Sequence, residues 1–488
     1  MKLYKKEGNI LQVLSFPNES AEKGDYLLVE DSEAGKALIV QVIDVQFASV
    51  PGVLEELLRS LPDGGEVVQG EDFDPLGIAP HITYIQDASL LVCKIRATVE
   101  NDNLSPSSPW LPSRSQSAIK KLSVPTLLKL ARVDGKLPIV LGGTKDASLL
   151  TIDASALDGG LNIISGKKGT GKSHLSKLLM LNLVGYKATV VVFDLNGEYL
   201  SLGMTGDGKR NGYYDKVHVL APGQNFKVAL KQLNLHVVLG ILVHALHLPG
   251  TSAREFRRVW KSLQEKDMLT LHNLGEAIRD WNCNQHVRDA LASRFYALVN
   301  SGFFTDNVAE AAALEDCIFK AKEHGGAVVV NLRNTGAIDR QIVVEYVLGK
   351  LVELLTAWKM KAAFLFAEEA HLYLRETYWD DIVTRMRHLG IFTTFVTNQP
   401  DTIKENIYRQ ADNIFLFNFT NEHDLDVVSR AARVDVETVK SIARDLAPHY
   451  CLVLGKVVKD FPMVAKVKAL DVKTMGETRL FFKDGMSV

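Results

Sequence analysis

The chain has little cysteine, no long uninterrupted apolar run and almost no net charge, and each shortage excludes a class of protein. Its four cysteines, Cys93, Cys283, Cys317 and Cys451, are scattered with no pairing or metal-ligand spacing. That argues against a disulfide scaffold and against a thiolate metal site, and it suits a reducing cytoplasm. The charged start Met1-Lys2-Leu3-Tyr4-Lys5-Lys6-Glu7 is not followed by the apolar region of a secretion signal, so a protein that stays inside the cell is expected. The most apolar long stretch, Leu233 to Leu248, is broken by Asn234, His236, His244 and His247. It falls short of the roughly 20 residues that span a bilayer, and a buried helix is expected there. Formal net charge is −2, so bulk charge announces no nucleic-acid partner, although a local basic channel is invisible in that sum.

What is there describes a large α/β protein. At 488 residues, 47% hydrophobic and 23% charged, the chain is globular in composition and long enough for two or three domains. Residues 1 to 100 hold short strand-like runs, such as Tyr26-Leu27-Leu28-Val29-Glu30, Ala37 to Ile43 and Leu90 to Ile95, separated by turn clusters. They predict a small β-barrel, interrupted by a helical piece near Val53 to Leu61. Residues 101–136 read as a linker or arm, since Asn101 to Gln116 is rich in Ser and Pro. Trp110 within it either docks into a neighbouring surface or packs on its own domain. Ala118 to Arg132 reads as a helix, and Leu137 to Ile152 as two strands around Gly142-Gly143.

From there to about residue 470 strands and helices alternate, which predicts a mostly parallel sheet with helices on both faces. The strands fall at Ala188 to Phe193, Ala327 to Leu332, Ala362 to Ala367, Ile391 to Thr397, Asn413 to Phe419, Tyr450 to Leu454 and Met463 to Val467. Long helices fall at Asp339 to Lys359 and Tyr378 to Leu389. A strand-free stretch of about residues 230–323 reads as a helical insertion. Within it Arg254, Arg257 and Arg258 make either a basic patch or a solvated helix face. Residues 471–488 form a C-terminal tail.

The chemistry centres on Gly166-Lys167-Lys168-Gly169-Thr170-Gly171-Lys172-Ser173, which follows the apolar run Leu161 to Ile164 and opens a helix through His174. Glycines let successive N–H groups curl inward, and the helix start adds its positive dipole end. Gly166, Gly169, Thr170, Gly171 and His174 are thus candidates to line a triphosphate. Lys172 would reach the β- and γ-phosphates, and the Ser173 hydroxyl would complete the shell of a Mg²⁺. Ligands on such sheets bind at the carboxyl ends of the strands.

Three other strand ends are candidates to complete the site. The run Ala362 to Ala367 ends in Glu368-Glu369, where one acid can support Mg²⁺ and the second can orient or deprotonate a water. Two buried like charges are costly without a cation. Val190 to Asp194 ends in Asp194 and, after a turn, Glu198; both stand near the phosphate or metal, or Asp194 merely caps the turn. Ile391 to Thr397 ends in Asn398-Gln399-Pro400, whose amide can sense the γ-phosphate. Arg385 and Arg387 precede that strand, either as a charge-stabilising guanidinium lent to a neighbouring subunit or as ordinary helix-end partners.

Taken together, these motifs resemble the HerA/FtsK group of ring-forming ATPases, and more closely its HerA branch of DNA translocases and helicases. The resemblance rests on Gly166 to Ser173, on Phe193-Asp194-Leu195-Asn196-Gly197-Glu198-Tyr199 and on Ala367-Glu368-Glu369-Ala370-His371. It continues in Arg387 to Ile391, Thr397 to Pro400, Thr420 to Leu425 and Leu452 to Pro462, and so covers nearly the whole chain. It implies a RecA-like P-loop ATPase core behind an N-terminal β-barrel, using ATP and Mg²⁺ as a homo-hexameric ring around double-stranded DNA. Carried over by position, Lys172 and Ser173 bind phosphate and Mg²⁺, Glu368 supports the metal, Glu369 is the catalytic base and Arg387 acts in trans. Asp194 and Glu198 belong to an additional acidic motif near the nucleotide. Family members work with a nuclease, in DNA end processing or in defence against invading DNA. The chain departs from the family in carrying Asn398-Gln399-Pro400 where Gln-Arg-Pro is common, and Lys167-Lys168 where small residues are common. Two rival readings stand beside this one: a secretion- or conjugation-type motor, and a nucleotide-dependent ring scaffold that activates a partner enzyme.

Overall fold

The computed structural model describes all residues except 49–86, 102, 107–109, 134, 312–313, 374–384, 420 and 475–488. The helical piece expected near Val53 to Leu61 lies outside the described residues, as do the first half of the helix expected over Tyr378 to Leu389 and most of the tail. The chain forms two compact units. One joins Met1–Asp153 to Leu416–Lys468; the other is Ala154–Phe415 with the described residues that follow Lys468.

The first unit begins with seven strands: β1 (Lys2–Glu7), β2 (Ile10–Ser15), β3 (Tyr26–Asp31), β4 (Lys36–Phe47), β5 (Ser89–Glu100), β6 (Asn103–Ser105) and β7 (Ser117–Leu122). They pair in the order β1-β2-β5-β4-β3-β7, with β6 beside β5. Alternation along each strand sends one row of side chains inward, and the rows meet in one core of Leu11, Val13, Leu27, Val29, Val40 and Leu91 among others. Bulges within β4 and its partner β5 bend the sheet around that core. Among the described residues the ladder ends at β1 and at β7 without closing. The sheet curls until β1 comes against β7, which supports in part the small barrel expected from the sequence. Trp110 packs against its core, which decides between the two readings of that residue.

The helix expected over Ala118 to Arg132 is shorter than the pattern suggested. Ser117–Leu122 pairs antiparallel with all of Tyr26–Asp31, and the helix α1 (Val124–Leu130) starts only after it, with Pro125 in its first turn. Then come the antiparallel strands β8 (Pro138–Gly143) and β9 (Leu149–Asp153).

The second unit is built on β10 (Asn162–Ser165), α2 (Lys172–Gly185), β11 (Thr189–Asp194) and β12 (Val217–Leu220). A short parallel pair, β13 (Val228–Ala229) and β14 (Phe304–Thr305), brackets the helical insertion. The insertion comprises α3 (Leu235–Gly240), a π turn over Ile241–Ala245, α4 (Gly250–Glu265), α5 (Leu271–Asp280), α6 (Gln285–Asn300) and, after β14, α7 (Leu314–His324). Arg254, Arg257 and Arg258 lie exposed on α4, with Arg258 2.9 Å from Glu255, as a solvated face. The remaining elements are β15 (Gly326–Asn331), α8 (Ala337–Thr356), β16 (Ala363–Glu368), β17 (Ile391–Thr397), α9 (Glu405–Tyr408) and β18 (Asn413–Leu416).

These strands run in the order β12-β15-β11-β16-β17-β10-β18, and the first six are all parallel. β11 and β16 read as nearly continuous apolar runs, and β17 is buried along its whole length, threonines included, because the sheet's interior strands are covered on both faces. The order sets β17 between β10 and the acidic strand β16. Among the described residues no helix is long and apolar enough to cross a membrane.

After β18 the chain re-enters the first unit through α10 (Glu422–Ala431), α11 (Val436–Arg444), β19 (Tyr450–Gly455) and β20 (Met463–Val467). β20 pairs with β19 and with β8. Arg96 of β5 donates to Asp435 at 2.7 Å and to Thr438 at 2.6 Å, while Tyr26 and Gln41 both donate to the Pro462 carbonyl at 2.9 Å.

Candidate functional site

All four residues of β10 are buried, and Ser165 at its end donates to the Thr397 carbonyl of β17 at 3.3 Å. The chain then turns through Gly169 at φ +81° and Gly171 at φ +117°, conformations that cost a side-chain-bearing residue about 1–2 kcal/mol. Gly171 is the N-cap of α2 and offers no side chain to its first N–H groups, which leaves those donors for an anion. The loop is tightened from within. The Lys167 carbonyl accepts from the Thr170 hydroxyl at 2.7 Å and from the Lys172 ammonium at 3.0 Å. Lys172 is buried, and burial lowers its pKa against the opposing pull of Glu369, Glu368 and Glu198. His174 is half-buried one residue past Ser173, whereas Lys167 and Lys168 are exposed.

The carboxyl end of β16 faces the loop. Glu368 is buried, with Oε2 at 3.5 Å from the Ser173 hydroxyl and Oε1 against the Tyr199 hydroxyl. Burial pushes its pKa up to about 8, with the Tyr199 hydrogen bond working the other way. Glu369 follows in a left-handed conformation, φ +50°, a strained geometry for a non-glycine residue that turns the chain out of the strand. Its Oε2 is buried without a hydrogen-bond partner and stands 3.4 Å from His371 Nδ1. Burial raises the Glu369 pKa too, and Lys172 and Lys168 restrain the rise. His371 Nδ1 also lies 3.2 Å from the Thr397 hydroxyl, which accepts the Gln399 N–H at 3.0 Å. Between them Asn398 Oδ1 is buried with no partner.

β11 contributes a turn rather than a free acid. Asp194 is buried and accepts the backbone N–H groups of Gly197 (2.8 Å), Glu198 (3.0 Å) and Tyr199 (2.9 Å). Burial raises its pKa in spite of those three bonds. Glu198 reaches Lys177 on α2 at 3.0 Å, and Tyr199 reaches Ser176 on the same helix at 2.7 Å. Of the two readings for Asp194, turn capping describes its contacts.

Lys172, Ser173, Glu198, Glu368 and Glu369 thus meet at the carboxyl edge of the sheet, where Asn398 also ends its strand. Arg387 does not join them. It lies 3.3 Å from Asp412, whose carboxylate accepts the Leu161 N–H at 3.1 Å, at the amino end of β10. About 13 Å of strand separates that end from the phosphate loop. Arg387 is partly exposed there.

The donor set fits Mg²⁺ shared with a nucleotide. Glu368 and Ser173 offer two hard oxygen donors side by side, and Mg²⁺ keeps the rest of its shell as water and phosphate oxygens. Among the described residues no cluster of three or more His, Cys, Asp or Glu side chains forms an all-protein cage. Sequence reasoning gave no role to Tyr199, Ser176, Lys177, His371 or Thr397. Tyr199 and His371 stood inside recognised motifs, and Ser176 and Lys177 sit one helical turn beyond Lys172 and Ser173; Thr397 carried no separate signal.

A phosphate loop on a parallel sheet, faced across β17 by two acids at a strand end, defines a P-loop NTPase. Residues 162–351, from β10 into α8, match the family model of the helicase HerA central domain. Within those residues the chain is thus similar to the HerA central domain. The curated protein named Probable helicase MJ1565, from Methanocaldococcus jannaschii, is 23% identical over 376 residues, covering 72% of this chain and 70% of that protein. Among solved structures, VirB4 of Thermoanaerobacter pseudethanolicus aligns with a TM-score of 0.53 at 14% identity, over 69% of this chain and 98% of its own. The plasmid coupling protein TrwB, in complex with the ATP analogue ADPNP, aligns with a TM-score of 0.51 at 13% identity, over 74% of this chain and 95% of its own. At such identities the likeness to these structures establishes the fold.

Proposed function

We propose that the protein is a Mg²⁺-dependent ATPase that works in the cytoplasm as a homo-hexameric ring and moves along double-stranded DNA, in company with a nuclease or another effector. The observation that carries this reading is Glu369, a half-buried carboxylate with one buried oxygen that has no hydrogen-bond partner, set at a strand end beside the phosphate loop. The similarity to the HerA central domain, the relative named a probable helicase and the ATP analogue held by TrwB support the choice of ATP and DNA.

In this reading Lys172 leaves the Lys167 carbonyl for the β- and γ-phosphates, which also take the N–H groups from Gly169 to Ser173. Ser173 and Glu368 would hold a Mg²⁺, whose charge would neutralise the phosphate oxygens. Glu369 takes the proton of the attacking water; its raised pKa brings it nearer the operating pH, as a general base requires. The Asn398 amide contacts the γ-phosphate or the water. Arg387, remote from its own loop, stabilises charge in the neighbouring subunit's site.

The test is ATP hydrolysis with and without linear duplex DNA. Wild-type protein is expected to be stimulated by DNA. Glu369→Gln is expected to lose about 10²–10⁴-fold in kcat while still binding nucleotide, and Arg387→Ala about 10³-fold only in the assembled ring. Hydrolysis indifferent to DNA would sink the motor reading and leave the ring scaffold in its place.

A further inference from the structure

We infer that Tyr199 is the positioning residue that orients Glu368 toward Mg²⁺. This rests on the reading of Glu368 as the carboxylate that supports the metal. Tyr199 is wholly buried, and its hydroxyl stands between two groups of the site: Glu368 Oε1 on β16 and Ser176 Oγ, 2.7 Å away on α2. The other oxygen of Glu368 faces Ser173 at 3.5 Å. The carboxylate is therefore divided, with one oxygen fastened by the tyrosine and one presented beside the hydroxyl that shares the metal.

The hydrogen count gives the arrangement a direction. A phenol has one proton to donate, and an ionised carboxylate can only accept. With Glu368 ionised, Tyr199 donates to Oε1 and Ser176 donates to Tyr199, so the chain runs from the phosphate-loop helix into the metal carboxylate. Tyr199 is itself fixed at both ends. Its N–H is bound by Asp194 at 2.9 Å, and the Lys177 ammonium stands 5.4 Å from the ring centre. A hydroxyl held this rigidly stops the carboxyl plane from rotating and sets which lone pairs face the loop. Without it, Oε1 would be buried with no donor and the plane free to turn. Outer partners of this kind are worth about 10–100-fold in metal affinity.

The experiment uses the full chain, Mn²⁺ as the probe, followed by electron paramagnetic resonance, and a non-hydrolysable ATP analogue. Tyr199→Phe is expected to weaken Mn²⁺ binding to the nucleotide complex by about 10–100-fold, while affinity for the metal-free analogue stays at the wild-type value. Ser176→Ala, which removes only the donor to the tyrosine, is expected to weaken Mn²⁺ binding less and in the same direction; it carries the test if Tyr199→Phe does not fold. Wild-type Mn²⁺ affinity in the folded tyrosine variant, or in the serine variant where it stands in, overturns the proposal when Glu368→Gln has lost the metal. Wild-type Mn²⁺ affinity in Glu368→Gln overturns instead the reading of Glu368, and this proposal with it.

Discussion

Replacing Glu345 by glutamine should flatten the pH dependence of stability in the second unit. Glu345 sits in the middle of α8, almost wholly buried, and its Oε1 has no hydrogen-bond partner. Burial pushes its pKa from 4.5 up to about 8. Below pH 4.5 the carboxyl is protonated in both folded and unfolded chains, and its contribution is fully present. As pH rises from 4.5 toward 8 the unfolded chain releases the proton while the folded chain keeps it, so stability falls; above 8 the loss is complete. At about 1.4 kcal/mol per unit the full loss is on the order of 5 kcal/mol. Glu368, Glu369 and Asp194 act in the same direction, but they are common to wild type and variant. The assay is urea unfolding of the nucleotide-free protein from pH 5 to 8.5, followed by tryptophan fluorescence. Wild type and Glu345→Gln should nearly coincide at pH 5 and separate by several kcal/mol at pH 8.5, with the variant the more stable. Parallel curves across that range would refute the assignment of a buried, solitary carboxyl.

Two further outcomes can be checked with single variants. His371→Ala breaks the link from Glu369 to Thr397 and should lower kcat about tenfold with nucleotide affinity unchanged, as expected for a group that acts only when the reaction proceeds; an altered KM with normal kcat would contradict it. Arg96→Ala takes from the half-buried Asp435 its nearest cation, with Lys94 left at 4.0 Å, and removes the donor to Thr438; it should destabilise the first unit by about 1.5–3 kcal/mol, read as a lower melting transition with nucleotide binding intact; a melting transition at the wild-type temperature would contradict it.

The parts of the molecule that could be read from the sequence are those set by short stretches of chain. The phosphate loop needs its glycines and its lysine within eight residues, and β16 announces itself because a buried strand has no polar face until Glu368. What escaped depends on partners distant in sequence. Ser117–Leu122 has helix-forming residues and reads as helix with Ala118 to Arg132; only its pairing with β3, some ninety residues earlier, makes it a strand. β12 is four residues with a histidine in the middle, and its partner β15 lies more than a hundred residues on. Asp194 was ambiguous because an acid at a strand end can serve either a ligand or a turn. Its three backbone donors show the turn that it caps, and they depend on the fold of the next five residues. Tyr199 was visible in its motif, but its purpose needed Ser176 and Glu368, which the fold gathers from 23 and 169 residues away.

The return of Leu416–Lys468 to the first unit has a consequence for synthesis. On a ribosome the chain emerges amino end first and domains fold as they become complete. The unit that begins at Met1 lacks β19, β20, α10 and α11 until Lys468 is out, whereas the strands and helices described for the nucleotide core, begun later, have all emerged by Leu416. A chain stopped near residue 416 would carry every strand and helix described for the phosphate-binding core, attached to an unfinished companion. In that companion Arg96 would have no carboxylate to bind and β8 would have lost the strand beside it.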